Sequence, residues 1–258
     1  MNEAPLIGIA IAVHNGIERT RECLLALGQS NYDRLHICVV DDGSTDETSS
    51  VLRDEFPEVS TLTGDGNLWW TGGTNLAIRE CLDAGCESVI LLNPDCIVEP
   101  DTITALVDCS IQYPNTMIAS VVVDQVNPHK LWWAGTTWGP LKGLPIVWTF
   151  RYLYKRECNY AVGDLPTEPF PTAETGGRGV LIPKRIFEVV GLFDEEVFPH
   201  YSADNDFGLR VRETGYDIIV TSDAKVGLYV DETGLNLHPK LRELPNEYFK
   251  TYVFEKTW

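Results

Sequence analysis

The chain has 258 residues, of which 44% are hydrophobic and 22% are charged. This composition predicts a globular chain with a core large enough for an enzyme pocket, and it excludes a mainly disordered protein. The 38 acidic and 20 basic residues give a net charge of −18, which argues against nucleic-acid binding as the main activity.

The first half of the chain alternates strand-like and helix-like segments. Apolar, β-branched runs predict buried strands at residues 6–13, 35–40, 59–62, 88–92 and 117–123. Amphipathic segments between them predict helices at residues 18–29, 47–55, 74–84 and 101–112. Ser44 or Thr45 is expected to cap the second helix, and a glycine-rich loop over 64–73 is expected to precede the third. This order implies βαβ units and an α/β fold with a mostly parallel central sheet.

The second half is less regular. Residues 124–175 show no clear period, which predicts long loops with a short strand or two inside 130–137. Regular elements are expected again after this region: a strand at 178–183, helices at 184–190 and 204–214, and strand segments at 217–220 and 224–230. We expect a single domain over 1–234 and a tail or oligomer arm over 235–258.

Cysteine usage and apolar run length indicate the compartment. The seven cysteines are odd in number and have no CxxC spacing, which favours reduced thiols over disulfides or a zinc site. The longest apolar runs are about eight residues, far short of the roughly twenty that span a bilayer. We therefore expect no transmembrane segment and a cytoplasmic location, with peripheral attachment to the inner face of the membrane left open.

Polar clusters directly follow three of the predicted strands. They are Val13-His14-Asn15, Asp41-Asp42-Gly43-Ser44 and Asn93-Pro94-Asp95. Ligands of open α/β sheets bind outside the carboxyl ends of the strands, so the clusters are expected to meet at one edge. Turn chemistry alone explains any one cluster, whereas three in phase favour a binding site. A carboxylate after the fourth strand suits a hard cation that bridges substrate phosphates.

Two further segments carry candidate chemistry. The glycine-rich run over 66–75 leads into a helix, whose N-terminus favours an anion, although the run matches neither a Walker loop nor GxGxxG. Asp204 falls at a predicted helix start, and Asp206 and Arg210 are spaced to form an ion pair. This second segment is either a capped helix with one salt bridge or a general base, Asp204, supported by that pair.

Together these segments resemble the family 2 glycosyltransferases with a GT-A fold. The matching segments are 13–15, 39–46, 67–75, 91–95, 176–182, 190–195 and 204–210. The segments 67–75 and 190–195 look closest to the rhamnosyltransferase-like branch. The resemblance implies a nucleotide-binding half over 1–123 and an acceptor-binding half over 124–234. It also implies inverting transfer from a dTDP- or UDP-sugar to a hydroxyl of a glycan or lipid-linked acceptor, as in polysaccharide biosynthesis.

The resemblance implies roles for individual residues. Asp204 matches the family's general base, and Asp95 matches the last acid of the DxD motif, which holds Mn²⁺ or Mg²⁺ on the donor diphosphate. Asp41 matches the acid that reads the nucleotide base, with Asn15 and the backbone near Val13 beside it. The other candidate donor-binding residues are Asp42, Asn67, Trp70, Gly73, Asn75, Asn93 and Gly177.

The sequence departs from the family pattern at three places. Asn93 replaces the first DxD acid, and Ala203 replaces the Glu that usually precedes the base. Residues 225–230 lack the metal-binding His often found after the last strand, and His238 has the wrong spacing. Metal dependence is thus the weaker inference. The alternative is a catalytically degenerate domain that binds nucleotide-sugar or glycan, whereas a nucleotidyltransferase would need a basic phosphate-binding signature after the first strand.

Tryptophans are a further open question. Six of them could stack on sugar rings or pack in the core and lid: Trp69, Trp70, Trp132, Trp133, Trp138 and Trp148. We expect Trp69 or Trp70 to face the pocket, because both lie in the donor-loop segment, and we expect Trp132 and Trp133 to pack.

Overall fold

The computed structural model describes residues 3–138, 155–157 and 160–230. The strands in these ranges are β1 (Ile7–Val13), β2 (Leu35–Asp41), β3 (Ser60–Thr63), β4 (Ser88–Leu92), β5 (Cys96–Val98), β6 (Met117–Asp124), β7 (Leu131–Trp133), β8 (Thr136–Trp138), β9 (Lys155–Glu157), β10 (Phe170–Pro171), β11 (Arg178–Pro183) and β12 (Ile218–Leu228). The helices are α1 (Ile17–Leu27), α2 (Thr48–Glu55), α3 (Trp69–Asp83), α4 (Thr102–Gln112), α5 (Lys184–Val190) and α6 (Ala203–Glu213). A 3₁₀ turn covers Val162–Asp164.

One ten-stranded sheet runs through both halves of the chain. Its order is β10-β12-β6-β11-β4-β1-β2-β3, with β5 paired to β12 and β7 paired to β6. The pairs β1–β2, β1–β4, β2–β3 and β6–β12 are parallel. Strand β11 lies antiparallel between β4 and β6. The predicted α/β fold with a mostly parallel sheet is confirmed.

Helices cover both faces of this sheet, as βαβ connections require. On one face, Leu24 of α1 and Leu106 of α4 are buried against β1 and β6. On the other face, Ile78 of α3 and Phe207 of α6 are buried in a second cluster. All five residues of β4 are buried, as expected of a central strand covered on both sides.

Several element boundaries differ from the sequence prediction. Helix α3 begins at Trp69, so the second half of the predicted glycine-rich loop is helical. The segments 217–220 and 224–230 form one strand, β12, whose register shifts between Thr221 and Lys225. Strands β5 and β10 were not predicted, because two- and three-residue strands leave no periodic signal.

The predicted cap of the second helix is wrong. The carboxylate of Asp46, and neither Ser44 nor Thr45, accepts a hydrogen bond from the backbone N–H of Thr48 at 3.0 Å. Burial opposes ionisation of Asp46, but hydrogen bonds from the Thr48 hydroxyl and N–H outweigh it and lower the Asp46 pKa. Ser44 and Thr45 instead contact Asn15, as described below.

The predictions for the irregular region are only partly covered by the structure. Strands β7 and β8 confirm the expected short strands inside 130–137. Trp148, His238 and the predicted tail over 235–258 lie outside the described residues.

The six described cysteines are free and buried, which agrees with the prediction of reduced thiols, and Cys158 lies outside the described ranges. In the part of the chain that the structure covers, no helix is both long enough and apolar enough to cross a membrane.

Candidate active site

The parallel pairing of β1 with β2 and β4 brings the predicted polar clusters to one sheet edge. Val13, the last residue of β1, is in register with Asp41, the last residue of β2. Strand β4 also runs parallel to β1, so Asn93 begins the loop that leaves the same edge. The expected convergence of the three clusters is confirmed by this topology.

Asn15 organises the loop that follows β2. Its side-chain Oδ1 accepts hydrogen bonds from the backbone N–H groups of Thr45 at 2.7 Å and Asp46 at 3.2 Å. Its own N–H donates to the Ser44 hydroxyl at 2.9 Å. Asn15 adopts a left-handed conformation with φ of 49°, which Asn tolerates better than most residues. The first two clusters are therefore joined through Asn15.

The two aspartates after β2 are almost completely buried, with 1% of Asp41 and 2% of Asp42 exposed. Asp41 accepts hydrogen bonds from the Ser44 N–H at 3.0 Å and from the Ser49 hydroxyl. Asp42 accepts from the N–H groups of Gly66 and Trp69, each at 2.8 Å. Both carboxylates thus stabilise loops of this edge. Recognition of a nucleotide base by Asp41 stays a prediction.

Asp42 accepts a hydrogen bond from the first residue of helix α3. The Trp69 N–H that Asp42 binds belongs to the first residue of the helix, where a carboxylate satisfies a free donor and complements the helix dipole. Trp69 has φ of 58°, an unusual value for a bulky residue, and only 8% of it is exposed. Its ring makes an edge contact with His200 at 5.7 Å between centroids. Burial lowers the pKa of His200.

The predicted donor residues of the glycine-rich segment fall into two groups. Asn67 is exposed, and its N–H donates to Asp65 at 2.9 Å. Gly73 lies inside α3 where an added Cβ would meet the Cβ of Ala12 at 2.9 Å, so it permits close helix–sheet packing. Buried Asn75 binds both the N–H and the carbonyl of Phe193, at 3.1 and 2.9 Å. The structure gives Gly73 and Asn75 packing contacts, and their place in a donor pocket stays a prediction.

Trp70 and Asn93 meet beside the glycine pair that precedes β11. The indole N–H of Trp70 donates to Asn93 Oδ1 at 2.9 Å. A Cβ at Gly177 would lie 2.6 Å from the Trp70 ring and 2.9 Å from Asn93 Oδ1. Of the two tryptophans in the donor segment, Trp70 therefore lies at the Asn93 loop, while Trp69 packs against His200. Gly177 is required because no side chain fits there.

Asp95 is the one carboxylate of the 93–95 loop, and it is partly exposed. Its Oδ1 lies 3.8 Å from the Cys96 sulfur. Burial, followed by the negative charge of Asp95, raises the pKa of the thiols of Cys23 and Cys96, so both remain protonated. These cysteines are packing residues beneath the loop and offer no thiolate ligand.

A divalent cation at this loop would have Asp95 as its carboxylate ligand. Among the residues that the structure covers, no group of three or more His, Cys, Asp or Glu side chains is arranged to hold a metal. Antiparallel pairing of Leu228 with Cys96 brings the backbone of Tyr229, the residue after β12, close to that of Asp95, and Tyr229 lies where the resemblance led us to look for a His. One carboxylate fits a cation held mainly by diphosphate oxygens and water. It does not fit a metal site built from protein ligands alone.

Asp204 lies in the first turn of α6 and is partly buried. Its Oδ1 accepts the Asn205 N–H at 2.9 Å, while its Oδ2 lies 3.7 Å from the position of a Cβ at Gly176. Asp204 is therefore close to Gly176, the neighbour of the glycine that Trp70 and Asn93 contact. The predicted Asp206–Arg210 pair is present at 2.8 Å, and Arg210 also donates to the carbonyl oxygens of Val190 and Leu192.

Sequence reasoning missed one charged residue at this place, Arg178. It directly follows the glycine pair, and its guanidinium lies over the Trp132 ring at 4.8 Å from the centroid. The signal was present as an arginine between glycines in the 176–179 run, but the matched family motif gave that position no role. Trp132 and Trp133 are partly buried against the core, in line with the packing interpretation.

Comparisons with known proteins agree with this geometry. A family model described as Glycosyl transferase family 2 matches residues 8–167. The chain is 26% identical over 153 residues to the dTDP-rhamnosyl transferase RfbF of Shigella flexneri, covering 59% of this chain and 46% of that protein. It is 23% identical over 247 residues to an N-acetylglucosaminyl-diphospho-decaprenol L-rhamnosyltransferase of Mycobacterium tuberculosis, covering 86% and 74% of the two chains. The chain thus spans less than half of RfbF, and both relatives agree with the predicted rhamnosyltransferase-like branch.

Solved structures show the same fold. GalNAc-T7 with UDP, GalNAc and Mn²⁺ aligns with a TM-score of 0.67 and 14% identity, over 88% of this chain and 44% of that one. The mannosyltransferase PcManGT from Pyrobaculum calidifontis, in complex with GDP-Man and Mn²⁺, aligns with a TM-score of 0.64 and 18% identity, over 90% and 59%. The predicted GT-A fold is confirmed. With the family model matching more than half of its length, the chain belongs to glycosyl transferase family 2.

Proposed function

We propose that this chain is an inverting glycosyltransferase that moves a sugar from a dTDP- or UDP-sugar to a hydroxyl of a glycan or lipid-linked acceptor. The observation that carries the proposal is that the Trp70–Asn93 pair lies at Gly177 and Asp204 lies near Gly176, with Asp95 two residues after Asn93. Ligands of this fold class bind at this edge of the sheet. The names of the rhamnosyltransferase relatives make dTDP-rhamnose the first donor to test.

Asp204 is suited to act as the general base. It lies in the first turn of α6, and its Oδ2 lies near Gly176 of the glycine pair. In the proposed reaction Asp204 takes the proton of the acceptor hydroxyl as that oxygen bonds to the anomeric carbon. The bond from this carbon to the diphosphate breaks, and its electron pair leaves with the phosphate oxygen. Attack opposite the leaving group inverts the anomeric configuration.

Asp95 would hold Mn²⁺ or Mg²⁺ against the donor diphosphate. A bound cation supplies charge neutralisation of the leaving group. The chain's own contribution is to fix the 93–95 loop: Trp70 holds Asn93 by its indole N–H, and Cys96 N–H donates to the Asn93 carbonyl at 3.1 Å. These contacts orient Asp95 toward the diphosphate before the donor binds.

The nucleoside is proposed to bind beside the loops after β1 and β2. Val13 and Asn15 lie at this end of the edge, and Asn15 fixes the backbone of residues 44–46. Because the carboxylates of Asp41 and Asp42 already bind protein donors, we propose that they shape this nucleoside site through the loop. A lipid-linked acceptor, as the mycobacterial relative's name states for that protein, would require the enzyme to work at a membrane surface.

The test is a calorimetric binding panel of UDP, dTDP and GDP, with and without Mn²⁺. We expect one nucleotide to bind and Mn²⁺ to strengthen it, and we expect Asp95→Ala to abolish the metal effect. Asp83→Ala, an exposed acid at the far end of α3, is the matched control and should bind like the wild type. Absence of binding by any nucleotide to the folded protein would contradict the proposal.

An assay of sugar transfer from the nucleotide-sugar to an acceptor then distinguishes a transferase from a binding domain without turnover. Ala203, fully buried where the family pattern has a Glu, and Asn93 are the features that favour a binding domain without turnover. Nucleotide-sugar binding without release of nucleoside diphosphate, across a panel of hydroxyl acceptors, would favour that alternative. Release that depends on the acceptor supports the transferase.

A further inference from the structure

Arg178 begins β11 at a position fixed by a β-bulge. It pairs with Leu92, the residue before Asn93, and the register of the strand shifts between Arg178 and Val180. Gly179 occupies the bulge with φ of 73°. Bulges of this kind redirect a side chain next to a functional site. The bulge therefore sets where the Arg178 side chain points.

The surrounding sheet enforces this bulge. The Ser120 hydroxyl donates to the Arg178 carbonyl at 3.0 Å. A Cβ at Gly179 would overlap the same hydroxyl and would lie 2.7 Å from a Val226 methyl group. Only glycine combines the positive φ with so little space. Arg178 is thus held at the end of β4 by its backbone, independently of its side chain.

The guanidinium lies near Gly176, as the Asp204 carboxylate does. Its Nη1 lies 3.4 Å from the position of a Cβ at Gly176, and Asp204 Oδ2 lies 3.7 Å from the same position. The Arg178 charge also partly offsets the rise in the pKa of the Cys96 thiol that burial and Asp95 cause. Arg178 therefore lies near Asp204 and within electrostatic range of Cys96, the residue next to Asp95.

Among the residues that the structure describes, no anion pairs with the Arg178 cation. Its Nε is buried and has no hydrogen-bond partner, and the guanidinium forms no ion pair within the described residues. Stacking on Trp132 supports the plane of the group but satisfies none of its N–H donors. A partly buried cation without an ion-pair partner costs free energy, which an anionic ligand bound near Gly176 would offset.

We propose that the Arg178 guanidinium binds the diphosphate of the nucleotide-sugar donor and neutralises the charge that builds on the leaving nucleoside diphosphate. The inference rests on the proposed function, which supplies the anion. A guanidinium presents a planar fork of donors that matches phosphate oxygens, and it stays protonated throughout the displacement. It complements a metal site with a single carboxylate, because Asn93 contributes no charge.

The test compares each nucleoside diphosphate with its own nucleoside, using UDP, dTDP and GDP in calorimetry with EDTA and with Mn²⁺. The variants are Arg178→Met, which keeps an apolar stem on Trp132, and Arg178→Gln; melting curves select those that fold. We expect the diphosphate to bind about 10- to 100-fold more weakly and the nucleoside to bind unchanged. Arg178→Lys should recover part of the loss. Arg185→Gln, which removes an exposed ion pair on α5, is the control.

The outcomes separate the two proposals. If the wild type binds a nucleoside diphosphate and the Arg178 variants bind it equally well, the inference is overturned while the proposed function stands. If diphosphate and nucleoside binding fall together, Arg178 supports the fold and the inference is again overturned. If the wild type binds no nucleotide, the proposed function itself fails. We expect the Arg178 variants to lose affinity for the nucleoside diphosphate but not for the nucleoside, and we expect this loss to be largest in EDTA.

Discussion

The two ends of the sheet edge use polar residues in opposite ways. At the β2 end, Asp41 and Asp42 are buried and hydrogen-bonded to their own loops. At the β4 end, Asp95, Asp204 and Arg178 are partly buried, and Asp204 and Arg178 both lie near Gly176. Polar residues of this region therefore divide into those that are bonded within their own loops and those that stay partly exposed, which we propose face the ligand. Burial and internal hydrogen bonds distinguish the two groups, whereas sequence position does not.

The largest expected effect is at the β4 end. Asp204→Asn should lower the rate of sugar transfer by about 10²- to 10⁴-fold, because the acceptor hydroxyl loses its base. Nucleotide affinity should be unchanged, since the asparagine keeps the shape of the carboxylate. Steady-state kinetics and calorimetry on the same preparations measure both. Asp206→Asn is the neighbouring control, and a comparable loss of rate in that variant would point to the Arg210 ion pair instead.

The next largest effect is expected at the β2 end. Asp42→Ala leaves the N–H groups of Gly66 and Trp69 without their acceptor, so we expect a loss of about 2–4 kcal/mol in the free energy of unfolding. Denaturant titration measures this loss. Asp65→Ala removes an exposed acid of the same loop and should cost under about 1 kcal/mol. Unchanged stability with weaker nucleotide binding in Asp42→Ala would show that this end also faces the ligand.

Substitutions at two glycines also test the difference between the two ends of the sheet edge. Gly73→Ala forces a methyl group against Ala12 and should lower stability by about 1–3 kcal/mol, with nucleotide affinity retained. Gly177→Ala pushes on the Trp70 ring and Asn93, so it should weaken nucleotide binding more than it lowers stability. Denaturant titration and calorimetry on both variants test the pair. The reverse pattern would mean that the two ends have been assigned the wrong way round.

The smallest effect concerns His200, which packs on Trp69 near the start of α3. Because burial lowers its pKa below the usual 6.5, the unfolded chain takes up a proton before the folded chain does as the pH falls. The His200 contribution to stability is therefore full above about pH 6.5 and decreases below it. We expect His200→Gln to reduce the fall in melting temperature between pH 7 and pH 5 by about 1–3 °C. An identical fall in both proteins would contradict this.

Much of the fold followed from local patterns, and less of the site did. The strands β1, β2, β4 and β11 were predicted because buried runs such as 88–92 are apolar throughout. The start of α3 was misplaced because its glycines suggested a loop, whereas tertiary packing of Gly73 on Ala12 and the contact of Asp42 with Trp69 place them in a helix. The partners of Asp41, Asp42 and Asn75 depend on contacts across the fold, which sequence spacing does not encode.

The position of β11 has a consequence for synthesis of the protein. Within the described ranges, the strands that pair with β6 are β7, β11 and β12, all of which follow it in the chain. When residue 124 leaves the ribosome, the edges of β6 have no strand to pair with, and β4 still lacks its partner on that side. Exposed edges of this kind promote pairing with other chains. The first half therefore cannot complete its sheet during translation until β11 and β12 have emerged.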